Sequence, residues 1–281
     1  MRLGFHVSIE GSLDRAVDRA VELGCDTFQM FTRSPRAWKA STLSAETVAL
    51  FREKLRKSSI EPVYGHTPYL LNLSSPKEDI YGKSVEALRQ VVETCGLLGV
   101  PFVVTHLGSH LGEGIEFGVK RVAHAFNEAL LGTDRTTILM EVSAGGGKAV
   151  GSSMEELKQI LELVDASSRV GICLDTCHLF AQGYDVRSLT GIGQVLADMD
   201  SAVGADRLLL VHLNDSVGDL GSRIDRHEHI GLGRIGEEGF VRILRSPLGL
   251  VPMILETPID ERRSDRENLV KVKDLARLAE K

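Results

Sequence analysis

The chain has few aromatic residues, few cysteines and no long apolar run. Only 5% of its 281 residues are aromatic, and its four cysteines are Cys25, Cys95, Cys173 and Cys177. Because these cysteines lack a repeated paired spacing, a disulfide-stabilised secreted fold is not expected. No stretch reaches the roughly 18 apolar residues of a membrane span, and the first residues lack the apolar core of a signal peptide. We therefore expect a compact cytoplasmic protein without a membrane segment.

An excess of basic charge is also missing. The 33 basic and 39 acidic residues give a net charge of -6, which ordinarily argues against a polyanionic partner. Bound divalent ions would change this balance, because three of them add about six positive charges where their ligands meet. The net charge alone therefore does not exclude nucleic acid.

Strand-like apolar runs alternate with amphipathic stretches along the whole chain. The eight runs are Leu3–Val7, Thr27–Phe31, Pro62–Gly65, Phe102–Thr105, Thr137–Met140, Val170–Leu174, Leu208–Val211 and Met253–Leu255. Helical spacing is found over Leu13–Leu23, Ala45–Lys57, Lys83–Leu98, Val119–Leu131, Met154–Val164 and Ile192–Val203. Ser44 and a capping box of Ser153 with Glu156 mark two helix starts. The alternation predicts a single-domain (β/α)8 TIM barrel over residues 1–281, with a doubly wound open sheet as the alternative.

Six of the apolar runs end in a residue that can bind a metal ion. These residues are His66, His106, Glu141, Asp175, His212 and Glu256. Their intervals of 34 to 44 residues are close to one strand-plus-helix unit, so parallel packing would bring them to one end of the sheet. Barrel active sites form at the C-terminal ends of several strands, whereas an open sheet has its site at one switch point. The distribution therefore favours the barrel, and the ligand types suit zinc, manganese or iron.

Three further candidate ligands lie in the segments that follow these strands. His178 comes three residues after Asp175, and Asp225 and His227 belong to a loop after His212. Side chains two residues apart on an extended segment point to the same side, so Asp225 and His227 can hold one ion together. A single such histidine would more often be structural, but six coincidences at strand ends favour a metal centre. Nine ligands could serve three ions if one carboxylate bridges two of them.

Other motifs have simpler interpretations. Cys173 and Cys177 could form a zinc site, but buried free thiols are more typical of such residues. Residues 231–236 match GxGxxG without a preceding strand, which disfavours a dinucleotide site, and residues 144–148 lack the P-loop spacing and indicate a flexible loop at the barrel mouth. The remaining histidines are expected to support ligands or to be structural: His6, His110, His124 and His229.

Several longer motifs carry a more specific signal. They are GHTPYLLNLSSP (65–76), THLGSH (105–110), LDTCHLFAQGYD (174–185), HLNDS (212–216), GSRIDRHEHIGLGRIG (221–236) and ILETP (254–258). In this order they resemble the endonuclease IV family of apurinic/apyrimidinic endonucleases. The opening GFHVSIEGSL and the FTRSPRAW segment fit the same family, so the resemblance covers nearly the whole chain.

The resemblance implies a TIM barrel with three zinc ions, with manganese or iron possible at one or more sites. Such an enzyme cuts double-stranded DNA on the 5′ side of an abasic site and leaves a 3′-hydroxyl and a 5′-deoxyribose phosphate. The first ion would have His66, His106 and Glu141, the second the same Glu141 with Asp175, His212 and Glu256, and the third His178, Asp225 and His227. Glu141 and Glu256 would also act in catalysis. The family resemblance favours a monomer.

The resemblance also implies residues that contact DNA. Arg36, Tyr69 and Leu70 match family positions that enter the duplex at the lesion, where a wedge can fill the gap left by a missing base. The alternatives are that Arg36 contacts only phosphate and that Trp38, Tyr69 and Leu70 pack in the core.

The chain departs from the family pattern beside the ligands. Val142 and Ser143 stand where Asn and Thr are common, Leu107 where Pro is usual, and Leu232 where Glu is frequent. These differences bear on the fine tuning of the site and on metal preference rather than on the reaction class.

Two other functions remain open from the sequence. A sugar isomerase or epimerase on a related metal-dependent barrel would use similar ligands, although the third set of ligands argues against it. A noncatalytic DNA-binding protein on a relic barrel is disfavoured by the complete ligand set.

Overall fold

The strands of the fold close into a parallel barrel. A computed structural model describes residues 1–38 and 43–279, and within them eight parallel strands form the closed order β1-β2-β3-β4-β5-β6-β7-β10. The strands in chain order are β1 (Leu3–Val7), β2 (Thr27–Phe31), β3 (Val63–His66), β4 (Phe102–Thr105), β5 (Thr137–Glu141), β6 (Val170–Asp175), β7 (Leu208–His212), β8 (Asp215–Ser216), β9 (His227–Glu228) and β10 (Met253–Leu255). Strands β8 and β9 form an antiparallel hairpin outside the barrel. The predicted (β/α)8 fold is confirmed, and the open-sheet alternative is wrong because β10 pairs with β1.

The helices follow the strands and pack against one another around the barrel. They are α1 (Arg15–Leu23), α2 (Ala45–Ser58), α3 (Glu78–Leu98), α4 (Ile115–Leu130), α5 (Met154–Leu163), α6 (Thr176–Gln182), α7 (Leu189–Val203), α8 (Gly236–Arg245) and α9 (Asp265–Ala279). Each predicted helical stretch lies on one of them, with the largest shift at α3, which begins at Glu78 rather than Lys83. In the part of the chain that the structure describes, no helix is long and apolar enough to cross a membrane. One domain over residues 1–281 stays a prediction, since residues 39–42 and 280–281 lie outside the described part.

Both predicted helix caps are present. Ser44 Oγ accepts a hydrogen bond from the Thr47 amide at 3.1 Å, and Ser153 Oγ accepts one from the Glu156 amide at 3.2 Å. The Glu156 carboxylate differs from the expected capping box, because it accepts from the amides of residues 151 and 152 at 2.7 and 3.0 Å instead of from Ser153. The carboxylate therefore fixes the loop that leads into α5 as well as the start of the helix.

The interior of the barrel explains where the strand-end ligands point. Six strands each contribute one residue to a separate buried cluster inside the barrel: Tyr64, Val104, Leu139, Cys173, Leu210 and Ile254. Each of the six predicted strand-end ligands comes two residues after one member of this cluster. Because side chains alternate along a strand, residues two apart share a face. The ligands therefore form a polar layer directly above an apolar one, at the C-terminal end of the barrel.

The remaining two barrel strands contribute polar residues to the same layer. His6 on β1 and Gln29 on β2 are paired across the two strands. Below them, Gly4 on β1 lies against β2, and a Cβ added to Gly4 would stand 1.6 Å from the carbonyl oxygen of Thr27. The absence of a side chain at Gly4 thus permits the close pairing that closes this part of the barrel.

We predict that Gly4→Ala destabilises the protein by about 2 kcal/mol or more, since the new methyl group must push β1 away from β2. The control is Gly82→Ala in α3, where an added Cβ meets nothing within 4 Å. That substitution should stabilise the protein by about 0.5–1 kcal/mol through the higher helix propensity of alanine. Urea unfolding followed by circular dichroism measures both, and equal stabilities of the two variants would contradict the packing described here.

Candidate metal centre

The nine predicted ligands converge at the C-terminal end of the barrel. Their candidate ligand atoms fall into groups in which every atom lies within 4.8 Å of the others. Three of these groups are His66 with His106 and Glu141, Glu141 with Asp175, His212 and Glu256, and His178 with Asp225 and His227. Glu141 belongs to two groups and joins them. This grouping is the same division that the family resemblance implies, while ion binding by these residues remains a prediction.

Glu141 is the carboxylate of the first ligand group, and 1% of its surface is exposed. Its Oε2 lies 3.3 Å from His66 Nε2 and 3.4 Å from His106 Nε2, and its Oε1 lies 3.2 Å from His212 Nδ1. Burial alone would raise the pKa of Glu141, but the charges of His106 and His212 hold it well below its ordinary value. A buried carboxylate is therefore kept ionised and needs positive charge beside it.

Four imidazoles are oriented from outside so that their second ring nitrogen faces the carboxylates. Three of them donate from Nδ1 to a backbone carbonyl oxygen: His66 to Thr67 at 2.7 Å, His178 to Val142 at 2.8 Å and His227 to Glu256 at 3.0 Å. The fourth, His212, donates from Nε2 to the side-chain oxygen of Gln29 at 2.9 Å. In its neutral form an imidazole has one N–H, so with that hydrogen on the outward nitrogen the inward nitrogen of each can bind a cation. This arrangement is typical of histidines that bind metal ions.

The third group gives the clearest test of whether a cation fits. His178 Nε2 lies 3.0 Å from Asp225 Oδ1, and His227 Nε2 lies 3.6 Å from the same oxygen and 3.5 Å from Asp175 Oδ2. Both Nε2 atoms are buried, yet among residues 1–38 and 43–279 neither has a partner in hydrogen-bond geometry. Buried polar atoms are normally paired. Imidazole nitrogens and carboxylate oxygens that converge in this way fit a divalent metal ion.

Four carboxylates make the potential at this end of the barrel strongly negative. Burial lowers the pKa of His178, but the charges of Asp175 and Asp225 outweigh it and raise this pKa to about 10. The centre therefore attracts positive charge, from protons or from metal ions.

Two residues that the sequence analysis did not single out hold the ligands in place. Gln29 is fully buried, and its Nε2 donates to Glu256 Oε1 at 2.7 Å. Asn214 is also buried, with Nδ2 donating to Asp175 Oδ2 at 2.7 Å and Oδ1 accepting from the Glu256 amide at 2.8 Å. The sequence shows each only as an amide side chain within an apolar strand or two residues after one, which by itself does not indicate a role.

Three of the four remaining histidines have the supporting or structural contacts expected of them. His6 Nδ1 lies 2.9 Å from Glu256 Oε1. His110 Nδ1 accepts from the backbone amides of residues 112 and 114, and His124 contacts the Tyr81 hydroxyl at 3.0 Å.

The structure does not support a zinc site made by Cys173 and Cys177. Cys173 lies in the apolar layer of the barrel, and among the described residues the two cysteines do not occur in one group of candidate ligands. Cys177 does lie near Asp175 and His227. Burial raises the pKa of each thiol to about 12, so both are neutral near pH 7.

The GxGxxG stretch has a structural role. The carboxylate of Asp215 accepts hydrogen bonds from the amides of Gly231, Gly233 and Ile235 at 2.9, 3.0 and 2.9 Å. A Cβ at Gly233 would lie 2.5 Å from Asp215 Oδ1. The glycines are therefore explained by a loop that wraps a buried carboxylate, without a dinucleotide.

Of the predicted DNA-contacting residues, Tyr69 lies beside the centre. Tyr69 is 66% exposed, and its ring packs edge-on against Phe31 at 5.1 Å, while Phe31 packs in the same way against His66 at 5.6 Å. Arg36 is exposed and Leu70 is half-buried. Tyr69 thus does not pack in the core, whereas Trp38 does pack against it.

The departures from the family pattern leave the ligand contacts intact. Val142 is buried, but it holds His178 through its backbone carbonyl, which any residue supplies. Leu107 is buried against the loop at Gly151, and Leu232 is half-exposed.

Comparison with known proteins gives consistent matches over the full chain. Residues 17–279 match the family model of xylose isomerase-like TIM barrels. A probable endonuclease 4 from Methanoculleus marisnigri is 52% identical over 98% of each chain, and one from Nitrosopumilus maritimus is 46% identical over 98% of this chain and 100% of the relative. The crystal structure of endonuclease IV from Thermus thermophilus matches with a TM-score of 0.85 at 39% identity, covering 99% of this chain and 98% of that one. A D-tagatose 3-epimerase-like protein matches with a TM-score of 0.72 at 19% identity over 99% and 97% of the two chains, which shows a shared fold alone.

We predict that Glu141→Gln weakens the binding of two ions by at least about 100-fold, because Glu141 belongs to two of the ligand groups. Asp225→Asn should weaken the binding of only one ion, since Asp225 belongs to one ligand group. Zinc titration against a chromophoric chelator measures the number and affinity of bound ions. Asp198→Asn, a carboxylate on α7 that accepts from the Tyr184 hydroxyl, is the control. Equal losses in the Glu141 and Asp225 variants would contradict the shared position of Glu141.

Proposed function

The chain belongs to the endonuclease IV family of xylose isomerase-like TIM barrels, and on this premise we propose that it is a DNA-repair endonuclease. It hydrolyses the phosphodiester bond on the 5′ side of abasic sites in double-stranded DNA and leaves a 3′-hydroxyl and a 5′-deoxyribose phosphate. The observation that carries the proposal is the convergence of nine histidine and carboxylate side chains in three linked groups.

We propose that these groups hold three zinc ions, with manganese or iron as alternatives at one or more positions. The four carboxylates and five neutral imidazoles carry a charge of about -4, so three divalent ions bring the centre to about +2. This local charge favours a phosphate although the whole chain has a net charge of -6. A substrate anion is therefore attracted to the end of the barrel where the ligands meet.

The side chains of the centre have distinct tasks in this reaction. When bound, the divalent ions supply Lewis-acid polarisation of the phosphate and a water of lowered pKa as nucleophile. Glu141 and Glu256 are the proposed catalytic residues. Glu141 links two ligand groups, so it sets their separation, and Glu256 is oriented by Gln29 and His6. Because Glu141, His66 and His212 are buried, the ligands do not need to reorganise when substrate arrives.

Recognition of the lesion is proposed to involve Arg36, Tyr69 and Leu70. Tyr69 is exposed but fixed through Phe31 to the ligand His66, so it is presented at a defined place beside the centre. A nucleotide that lacks its base has already lost pairing and stacking, and a rigid aromatic ring can fill that gap. Selectivity then comes from the low cost of opening the duplex at the lesion.

A cavity lined by residues close in sequence to His178 and Asp225 gives room for the DNA. It has a volume of about 770 Å³ and is lined by Gln182 and Gly183 at the end of the helix that carries His178, by Tyr184 and Arg223, and by the glycines at 145–147. Glycines permit close approach of a polynucleotide backbone. We propose that the DNA continues along this side from the incised bond.

The sugar isomerase or epimerase alternative has less support. The likeness to an epimerase-like protein is one of fold, and the group of His178, Asp225 and His227 adds a third ion position that such chemistry does not need. The family membership favours the nuclease.

We predict that the zinc-loaded protein nicks a duplex with one tetrahydrofuran abasic analogue and leaves an end that a DNA polymerase extends. An undamaged duplex should stay intact, and chelation followed by zinc addition should abolish and restore nicking. Gel analysis of end-labelled DNA measures the reaction. Binding of the damaged duplex without cleavage would favour the noncatalytic alternative, and interconversion of sugars would favour the isomerase.

We further predict that Tyr69→Ala lowers kcat/KM on the abasic duplex by roughly 5-fold to 150-fold, the value of one lost stacking contact. Tyr69→Phe should retain most of the activity, because it keeps the ring. Leu250→Ala is the control, since Leu250 is 88% exposed and precedes β10 at the other end of the barrel. An unchanged kcat/KM for Tyr69→Ala would remove Tyr69 from lesion recognition.

A further inference from the structure

The ligands Asp225 and His227 are held differently from the other seven. The other seven lie at the ends of barrel strands or, for His178, on the helix that follows β6. Asp225 lies outside the barrel in the loop between β8 and β9, and His227 lies on the two-residue strand β9, which pairs with β8. The side chain of Asp225 is 55% exposed. A pair of loop residues needs further contacts to hold a fixed geometry, since the ordering of a loop costs entropy.

A buried histidine directly after β9 supplies such contacts. His229 is fully buried, and its Nε2 lies 3.0 Å from Asp260 Oδ1, while its Nδ1 lies 3.0 Å from Asn268 Nδ2. Asp260 belongs to the loop that begins after Glu256, and Asn268 belongs to α9. His229 therefore joins the segment of His227 to two elements that follow β10.

The hydrogen bonds define the roles of each atom in this arrangement. The amide of Ile230 donates to Asn268 Oδ1 at 3.2 Å, which fixes the orientation of the Asn268 side chain. Asn268 Nδ2 must then donate to His229 Nδ1, and it also contacts Thr257 Oγ1 at 3.0 Å. With Nδ1 as an acceptor, the proton of a neutral His229 is on Nε2 and is donated to Asp260. Every polar atom of the imidazole is used inside this network.

The same two segments are joined again at the surface. Arg262 donates to Glu228 Oε2 at 2.8 Å and to Asp260 Oδ2 at 2.7 Å, so it bridges the residue before His229 and the acceptor of His229. His227 itself donates from Nδ1 to the backbone carbonyl of Glu256 at 3.0 Å. The loop that carries Asp225 and His227 is thus fastened to the segment that begins with the ligand Glu256.

We propose that His229, held by Asp260 and Asn268, is a positioning residue for the third ion. It fixes the segment after β9 so that His227 and Asp225 face His178. The inference rests on the metal centre given under the proposed function. His229 itself does not touch an ion or the substrate, and it acts through the orientation of His227.

The test is the affinity of zinc for the purified full-length chain, measured by competition with a chromophoric chelator. His229→Leu removes both hydrogen bonds at similar volume, and we expect one of three ions to bind about 10-fold to 100-fold more weakly while two keep their affinity. His229→Gln retains a donor near the position of Nε2 and should recover part of the affinity. Excess zinc should restore nicking by His229→Leu. At low zinc, we expect the fold reduction in kcat of this variant to be larger than the fold change in its KM for DNA.

Two further variants keep the result interpretable. Asp260→Ala changes a partly exposed residue, so it should fold, and it should weaken the same ion in the same direction. Tyr81→Phe removes a hydrogen bond from the Tyr81 hydroxyl on α3 to the Arg121 carbonyl on α4, outside the candidate ligand groups, and should not change zinc affinity.

Wild-type affinity for all three ions in both His229→Leu and Asp260→Ala would overturn the inference, as would an equal loss in Tyr81→Phe. A wild-type chain that binds no ion at the third group would instead contradict the proposed function.

Discussion

The structure depends on one buried negative charge. Glu141 is nearly inaccessible to solvent, and its two oxygens face His66, His106 and His212 at distances of 3.2 to 3.4 Å. An ionised carboxylate in such a place is stable only beside positive charge. Because Glu141 belongs to two groups of candidate ligands, ions bound by both groups would be held next to each other. The imidazoles also fit this need for positive charge. Their outward N–H groups are hydrogen bonded, which leaves the inward nitrogens available to bind a cation.

The barrel meets this requirement through the alternation of its strands. Each strand that ends in a ligand has an apolar residue or Cys173 two positions earlier, inside the barrel. The apolar layer fills the interior of the barrel, and the polar layer above it carries the candidate metal ligands. The two strands without a ligand supply His6 and Gln29, which contact Glu256. All eight strands of the barrel thus contribute to the centre, six with candidate ligands and two with residues that support them.

The alternation also explains what could be predicted from the sequence. A strand has a recognisable composition, and a residue that can bind a metal has a recognisable side chain. The regular interval between such residues at strand ends therefore predicted both the barrel and the six strand-end candidates. Gln29 could not be assigned, because a single amide in a strand has no distinctive chemistry. Asp225 was predicted to be a ligand from its spacing to His227 and from the family resemblance. The contact of His229 with Asn268 joins residues 39 apart in the sequence, and only the folded chain brings them together.

If this centre hydrolyses a phosphodiester bond, the oxygen of the attacking water ends on phosphorus. The decisive measurement is the mass of both products when a duplex with one tetrahydrofuran abasic analogue is incised in water enriched in oxygen-18, because this analogue lacks the C1′ oxygen that exchanges with water at a natural abasic site. Attack of water on phosphorus breaks the bond to the 3′-oxygen, so we expect one heavy oxygen on the 5′-phosphate product and none on the 3′-hydroxyl product. A heavy oxygen on the 3′-hydroxyl product would show cleavage of the carbon–oxygen bond and would contradict hydrolysis at phosphorus.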